Sequence, residues 1–323
     1  MQNFTLLKGV LVLLCLMVFW QCKQATSLNQ PKVFVRQNIM QLNAQQMASL
    51  KKGIEVMMSR DSTDPTSWIY QAKIHGTIAK DPLPTWNKCK HRSYFFLSWH
   101  RMYVYYFERI LREAAGDPNL TIPYWDYSDP NSSALPEAFR NFPSKPENAV
   151  IRAPGLDNGQ CCLENYVVST KMAMQQQLFY SDSTVKDTGR IPGGRTISLS
   201  FGGMKVNHPD SMGLYFSAFE NQPHNLLHLA VGGFVWDKQD SLKINGIGHM
   251  SDPRRAALDP VFWLHHSNID RLWYCWEQSG KSDPTDDSLW LETYFHFFDE
   301  NGTLVKMSGK DILDVEHQLF YSY

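Results

Sequence analysis

Apolar positions along this chain recur mostly with helical spacing. Lys8 leads into an unbroken apolar run, Gly9–Trp20, whose twelve residues are too few to span a bilayer and fit the h-region of a secretory leader. Asn43-x-x-Gln46 has the form of a capping box ahead of Met47, Leu50, Ile54 and Met57, whose spacings of three and four predict a helix. Phe95–Ala115 is a second long helix, closed by Gly116. Asp259-Pro260 places an N-cap and a first-turn proline before a third helix that stops near Gly280. Gln222–Ala230 reads as a shorter helix. Pro123–Thr196, rich in Pro, Asn, Ser and Gly, reads as a long irregular excursion, and strand signal is confined to Lys32–Arg36 and Thr303–Met307. The expectation is a mainly α chain: a leader at residues 1–22, then one domain over 23–323 with an embedded helix bundle, long irregular loops and a few short strands.

Composition narrows the class. The chain has 31 Lys+Arg against 32 Asp+Glu, a net charge of −1 that gives no electrostatic reason to expect nucleic acid as partner. With 43% hydrophobic and 20% charged residues, wholesale disorder is excluded. Cys22, directly after the apolar run, is a candidate lipidation point. Export therefore has two forms, a secreted or periplasmic protein and a lipoprotein anchored through Cys22, against the alternative of a buried N-terminal helix. Cys89, Cys161, Cys162 and Cys275 are too sparse for a disulfide framework. Their pairing stays open, as does the oligomeric state.

The histidines carry the chemistry. His75, His91 and His100 lie within 26 residues, His224 and His228 are four apart, and His265 and His266 are adjacent on the third helix. An i,i+4 pair presents both rings from one helical face, which is how a helix offers two ligands to one metal. Two sets of three would hold two metal ions without carboxylate or thiolate. Such ligands argue against magnesium and calcium, while spacing alone does not choose copper over zinc.

Longer motifs make that choice. His91-x4-Phe96-Leu97-Ser98-Trp99-His100-Arg101-x2-Val104-x3-Glu108 resembles the first signature of tyrosinases and their coupled binuclear copper relatives, and Asp259-Pro260-Val261-Phe262-Trp263-x2-His266-x3-Asp270 resembles the second. Pro123-Tyr124-Trp125-Asp126, Glu220-x3-His224-Asn225-x2-His228 and Gly232-Gly233 also match, so that the resemblance runs from about Val33 to Tyr323. It implies a central four-helix bundle holding a dicopper site. His75, His91 and His100 become the ligands of one copper (CuA), and His224, His228 and His266 those of the other (CuB). The choice of His266 over His265 rests on the motif. Helical geometry agrees, since Phe262, His266 and Asp270 share one face while His265 points about 100° away. His265 is expected behind the ligands, and Phe262 to pack against the imidazoles. Asp270 either accepts a ligand ring's N–H or pairs with Arg271 or Arg101. His208, His249, His296 and His317 match no ligand position and read as surface or loop histidines. Cys89-Lys90-His91 reproduces the spacing at which some family members crosslink a cysteine to the CuA histidine; a free cysteine or a disulfide is the alternative. Tyr321-Ser322-Tyr323 resembles a closing tyrosine motif that meets an N-terminal arginine, for which Arg36 is the candidate.

The resemblance implies an oxidoreductase with two copper ions that uses O2 to hydroxylate monophenols ortho to their oxygen and/or oxidise o-diphenols to o-quinones. Glu220 and Asn225 resemble a pair that holds an activating water in monophenol-active relatives; otherwise Glu220 caps a helix and Asn225 is polar filler. The alternatives are a catechol oxidase without monophenolase activity and a haemocyanin-like oxygen carrier. Carriers usually shield the site with a further domain, and this chain ends 57 residues after His266, too few for a sandwich of ~100 residues. The partners implied are a small phenol and O2.

Overall fold

Five helices carry the architecture: α1 (Ala44–Ser59), α2 (Trp68–His75), α3 (Phe95–Ala115), α4 (Leu226–Gly232) and α5 (Pro260–Gln278). The computed structural model describes residues 31–140, 152–153, 156, 163–182, 188–190, 195–236 and 244–323. The expected leader with Cys22, and the pair Cys161 and Cys162, lie outside the described residues. Residues 34–323 form one unit; the described residues 31–33 before it have no regular structure. Among the described residues no helix is long and apolar enough to cross a membrane.

Helix α1 begins where its capping box places it. The Asn43 side chain accepts the Gln46 N–H and the Gln46 side chain accepts the Asn43 N–H, each at 2.9 Å. Its buried stripe, Leu50, Ile54, Met57 and Met58, packs along α3. Gly53 permits the close crossing, for a Cβ there would stand 2.9 Å from the Leu111 carbonyl oxygen. Gly116 ends α3 in the left-handed conformation (φ 64°) and gives its N–H to the Arg112 and Glu113 carbonyls. Asp259 caps α5 by accepting the Val261 N–H, with Pro260 in the first turn.

Two of the five helices depart from the sequence expectation. The α4 helix starts at Leu226, after a wider turn over Glu220–Asn225 in which Gln222 is extended (φ −149°, ψ 122°). Pro223 explains this, because its ring disfavours helical geometry in the residue before it. Helix α2 carries no signal of its own in the periodicity. Its Trp68, Tyr70, Gln71, Ala72, Ile74 and His75 are all buried, so no polar stripe marks a face.

Strand β1 (Phe34–Val35) pairs in parallel with β4 (Tyr321–Ser322), and the hairpin β2 (Tyr294–Phe298) and β3 (Leu304–Ser308) lies against α3 through Phe297 and the rings of Tyr103 and Tyr106. Pairing of the first and last strands brings Arg36 to the tyrosines, as the sequence expects. Its guanidinium carbon lies 3.7 Å from the centre of the Tyr321 ring and Nη1 donates to the Tyr323 hydroxyl at 2.8 Å. Both meet at Asp270. That carboxylate accepts Arg36 Nη1 at 2.9 Å, Arg101 Nε at 2.6 Å, the Tyr323 hydroxyl at 2.6 Å and the Tyr321 hydroxyl. Asp270 is thus the ion-pair partner of Arg101 and Arg36, and the expected role as acceptor for a ligand ring is corrected: both its oxygens are taken by cations and hydroxyls. Burial alone would raise its pKa, but Arg101, Arg36 and the two hydroxyls outweigh burial and hold it below the usual carboxylate range.

Replacing Asp270 by Asn should destabilise the fold by about 3–5 kcal/mol in urea unfolding, because two buried guanidiniums lose their shared counter-charge. Tyr323→Phe should cost about 1 kcal/mol. The folded-state pKa of Asp270 is depressed, so its contribution is complete above the ordinary aspartate pKa, about 3.9. It is lost as pH falls through the lower folded value, and the gap between wild type and Asp270→Asn should close in that window.

Candidate metal centre

Four short stretches of chain deliver seven histidines to two adjacent groups. The first holds His75, at the end of α2, His91, in the loop before α3, and His100, in the second turn of α3, together with Cys89. The second holds His224 and His228 with the neighbours His265 and His266 of α5. Within each group the potential ligand atoms all lie within 4.8 Å of one another, and no carboxylate belongs to either.

Backbone carbonyls set the rings. Nδ1 of His75 donates to the Pro253 carbonyl (2.9 Å), Nδ1 of His100 to the Phe96 carbonyl one turn back (2.7 Å) and Nδ1 of His228 to the Met250 carbonyl (2.8 Å). His224 Nδ1 stands 3.0 Å from Asn225 Oδ1. A carbonyl oxygen only accepts, so the proton sits on Nδ1 and the Nε2 lone pair is left for the interior of the group. Nε2 of His75 and Nε2 of His224 are buried without a partner, and Nε2 of His228 faces Nε2 of His266 at 3.4 Å. Buried lone pairs turned toward one another are costly unless a cation sits among them. The donor set is therefore suited to one imidazole-loving metal ion in each group, copper among them. Burial also keeps the rings neutral: it lowers His91 to about 3 and His228 to about 4, and takes His75, His100, His224, His265 and His266 well below the ordinary value.

Aromatic packing fixes the rings further. Phe262 stands 4.2 Å from the His266 ring and 4.9 Å from His75, as expected, and Phe96 lies 4.8 Å from His100 and 4.7 Å from His224. His266 stacks on His100 at 4.4 Å, which places it between the two groups. His265 is not turned away from the second group as the helical argument suggests. Its ring lies 4.9 Å from His228 and 5.3 Å from His224, on a flank closed by Tyr127, with both nitrogens unpartnered. Two residues 100° apart on α5 reach one group because the group faces the edge they share.

Cys89 Sγ stands 3.6 Å from Nδ1 and 3.7 Å from Nε2 of His91, about equally far from both, and 3.3 Å from His100 Nε2. Glu220 and Asn225 occupy different depths. Glu220 is fully buried, accepts the Arg92 N–H on both oxygens (2.9 and 3.0 Å), and is raised by burial to about 8. Asn225 lines a cavity of about 400 Å³ whose floor is His75, His91, His224 and His228 and whose walls include Phe216, Leu229 and Pro253. His208, His296 and His317 are exposed, whereas His249 is buried, on the short helical turn that presents the Met250 carbonyl to His228. The carbonyls of Met250 and Pro253 are what sequence reasoning missed, since any residue type supplies one.

The common central domain of tyrosinase matches residues 65–279, and the polyphenol oxidase middle domain matches residues 283–323. A tyrosinase of Hahella sp. (strain CCB-MM4) is 33% identical over 306 residues, covering 86% of this chain and 60% of the relative. The chloroplastic polyphenol oxidase A1 of Vicia faba is 31% identical over 312 residues, covering 91% of this chain and 48% of the relative. The chain thus spans about half to three fifths of the length of these relatives. Among solved structures, Grenache (Vitis vinifera) polyphenol oxidase superposes with a TM-score of 0.65 at 25% identity, covering 90% of this chain and 85% of that one. Latent apple tyrosinase gives 0.66 at 24% identity, with 90% and 62% covered, and shares the helical fold.

Copper analysis of reconstituted protein should find two ions per chain. His228→Ala should reduce this toward one. His266→Ala should lose more copper than His265→Ala, because only the His266 ring also stacks on the first group; equal loss would leave the third ligand of the second group unassigned.

Proposed function

The chain belongs to the tyrosinase family, and from that premise we propose that it oxidises phenols with O2 at two copper ions, hydroxylating monophenols ortho to their oxygen and oxidising o-diphenols to o-quinones. The carrying observation is the cavity of about 400 Å³ that opens onto histidines of both groups, with room for a phenol ring between apolar walls. A reversible oxygen carrier needs no such approach. In this reading His75, His91 and His100 hold one ion, and His224, His228 and His266 the other. Copper supplies the exchange of electrons with O2 and the substrate. The protein supplies the rest. Nδ1 hydrogen bonds on His75, His100, His224 and His228 leave Nε2 of those rings free for the ions they would hold, Phe262 and Phe96 keep the rings from turning, and the apolar walls exclude water from the reacting ring.

Monophenols need one further step, because an unperturbed phenol has a pKa near 10 and reacts as phenolate. We assign that proton to a water held between Asn225, on the cavity wall, and Glu220 behind it. A carboxylate raised to about 8 takes a proton far more readily than an ordinary one. Cys89 has its own place in the reading: Sγ would bond to the His91 ring carbon between the two nitrogens, with loss of one hydrogen from each and O2 as the two-electron acceptor. The apolar run before Cys22 supports export, with a lipid anchor at Cys22 as one form of it.

Copper-loaded protein should consume O2 with catechols and, after a lag, with monophenols. Glu220→Gln should depress monophenol turnover at least tenfold more than catechol turnover, since only the former needs the base. Equal losses would mean damage to the metal centre through Arg92, and a wild type inert to every monophenol would make it a catechol oxidase. For the crosslink, the intact mass after exposure to copper and O2 should fall by two hydrogens, mapped to the peptide of Cys89 and His91; a free thiol at Cys89 would refute it.

A further inference from the structure

The floor of the cavity is neutral imidazole and its walls are largely apolar, but its lining also carries two guanidinium groups, Arg92 and Arg195, and no carboxylate. Neither arginine is in a salt bridge among the described residues. Glu220 is buried behind the wall and spends both oxygens on the Arg92 N–H.

Arg92 is held in place rather than left loose at the surface. It has the left-handed conformation (φ 53°), which a non-glycine residue adopts only where its surroundings hold it. That conformation is fixed from both sides, by its N–H on Glu220 and by its carbonyl, which accepts the Gly213 N–H at 2.6 Å. A Cβ on residue 213 would stand 2.7 Å from that carbonyl oxygen, so the close approach needs glycine there. The guanidinium is thereby laid along the wall, 5.8 Å from the centre of the Phe216 ring and with Nη2 3.4 Å from Met212 Sδ. Arg195 reaches the same cavity from an exposed position.

A phenol with its hydroxyl at the histidine floor sends the opposite end of its ring toward the mouth. A substituent there meets two cations that have no salt-bridge partner among the described residues, beside apolar surface that strengthens their pull. We propose that this mouth selects phenols bearing an anionic group, a carboxylate above all, on the ring end away from the hydroxyl, and that Arg92 and Arg195 receive it. A carboxylate accepts paired N–H bonds from a guanidinium, an ester accepts weaker neutral ones, and an ammonium is repelled. The inference rests on the phenol-oxidising reading and names its substrate class.

The test compares kcat/KM of copper-loaded protein for 3-(3,4-dihydroxyphenyl)propanoate, its methyl ester and dopamine. Two methylenes insulate the ring from the charge, so the acid-to-ester ratio reports recognition rather than ring reactivity. The acid should exceed the ester about fivefold, mainly through KM, and dopamine should fall below the ester. Added salt should weaken the acid's advantage and leave the ester's kcat/KM unchanged. Arg195→Gln should lower the ratio, and Arg195→Glu should invert it. Arg92→Lys, which keeps the charge beside His91, should retain more of the ratio than Arg92→Gln. An ester that is not turned over at all refutes the phenol-oxidising reading itself. An ester turned over as well as or better than the acid, or an acid preference that survives Arg195→Glu, overturns this inference alone.

Discussion

An imidazole lone pair can be held in a dry core only if the ring's other nitrogen has somewhere to put its proton. That constraint organises this protein. Each of His75, His100 and His228 spends its Nδ1–H on a backbone carbonyl, and those carbonyls come from three different places: Pro253, Met250, and Phe96 on the same helix as His100. The segment over residues 249–253 therefore serves both groups at once, orienting His75 of the first and His228 of the second. Gly232 belongs to the same requirement. A Cβ there would stand 2.2 Å from the Ser251 backbone nitrogen, so any side chain would push this segment off α4 and take both carbonyls with it.

The helices must also keep their angular setting, and here the buried charges matter. His266 and Asp270 are four residues apart on α5, so the carboxylate that holds Arg36 and Arg101 fixes the rotation of the helix one turn from the ligand ring. Arg101 follows His100 directly on α3, so the same ion pair joins the two helices that carry the stacked rings of His100 and His266. Such a pair adds little net stability over apolar packing, but it admits one relative placement of α3 and α5. The first and last strands enter the arrangement through Arg36, Tyr321 and Tyr323.

Much of this was legible in the sequence because it rests on side chains in motif context. The capping box at Asn43, the cap at Asp259, the Gly116 stop, the histidine spacings and the Arg36 contact with the terminal tyrosines all depend on residue identity. The hidden parts rest on backbone or on burial without pattern. Helix α2 has no polar face and so no period, although it delivers His75. The carbonyls of Met250 and Pro253 have no residue code. Asp270 was open between two roles from sequence, and what decided it was the convergence of residues 36, 101, 321 and 323, which no local spacing records. The motif sets His265 behind the ligands and its angle on an ideal helix agrees, yet a group lying at the edge between two positions is reached by both.

The electrostatics of the cavity follow from the same ligand set. Neutral imidazoles would cancel none of the charge of ions held among them, and no carboxylate of the described residues stands in either group to do so. Glu220 is buried behind the wall, with both oxygens on the Arg92 N–H, and is not part of the lining. With two guanidiniums in the lining, every fixed charge there has one sign. A pocket of one sign with apolar walls concentrates anions and lowers the cost of deprotonating a bound phenol. Charge recognition at the mouth and proton removal at the floor are then two consequences of one field, and a change to either arginine acts on the phenol's hydroxyl as well as on its tail.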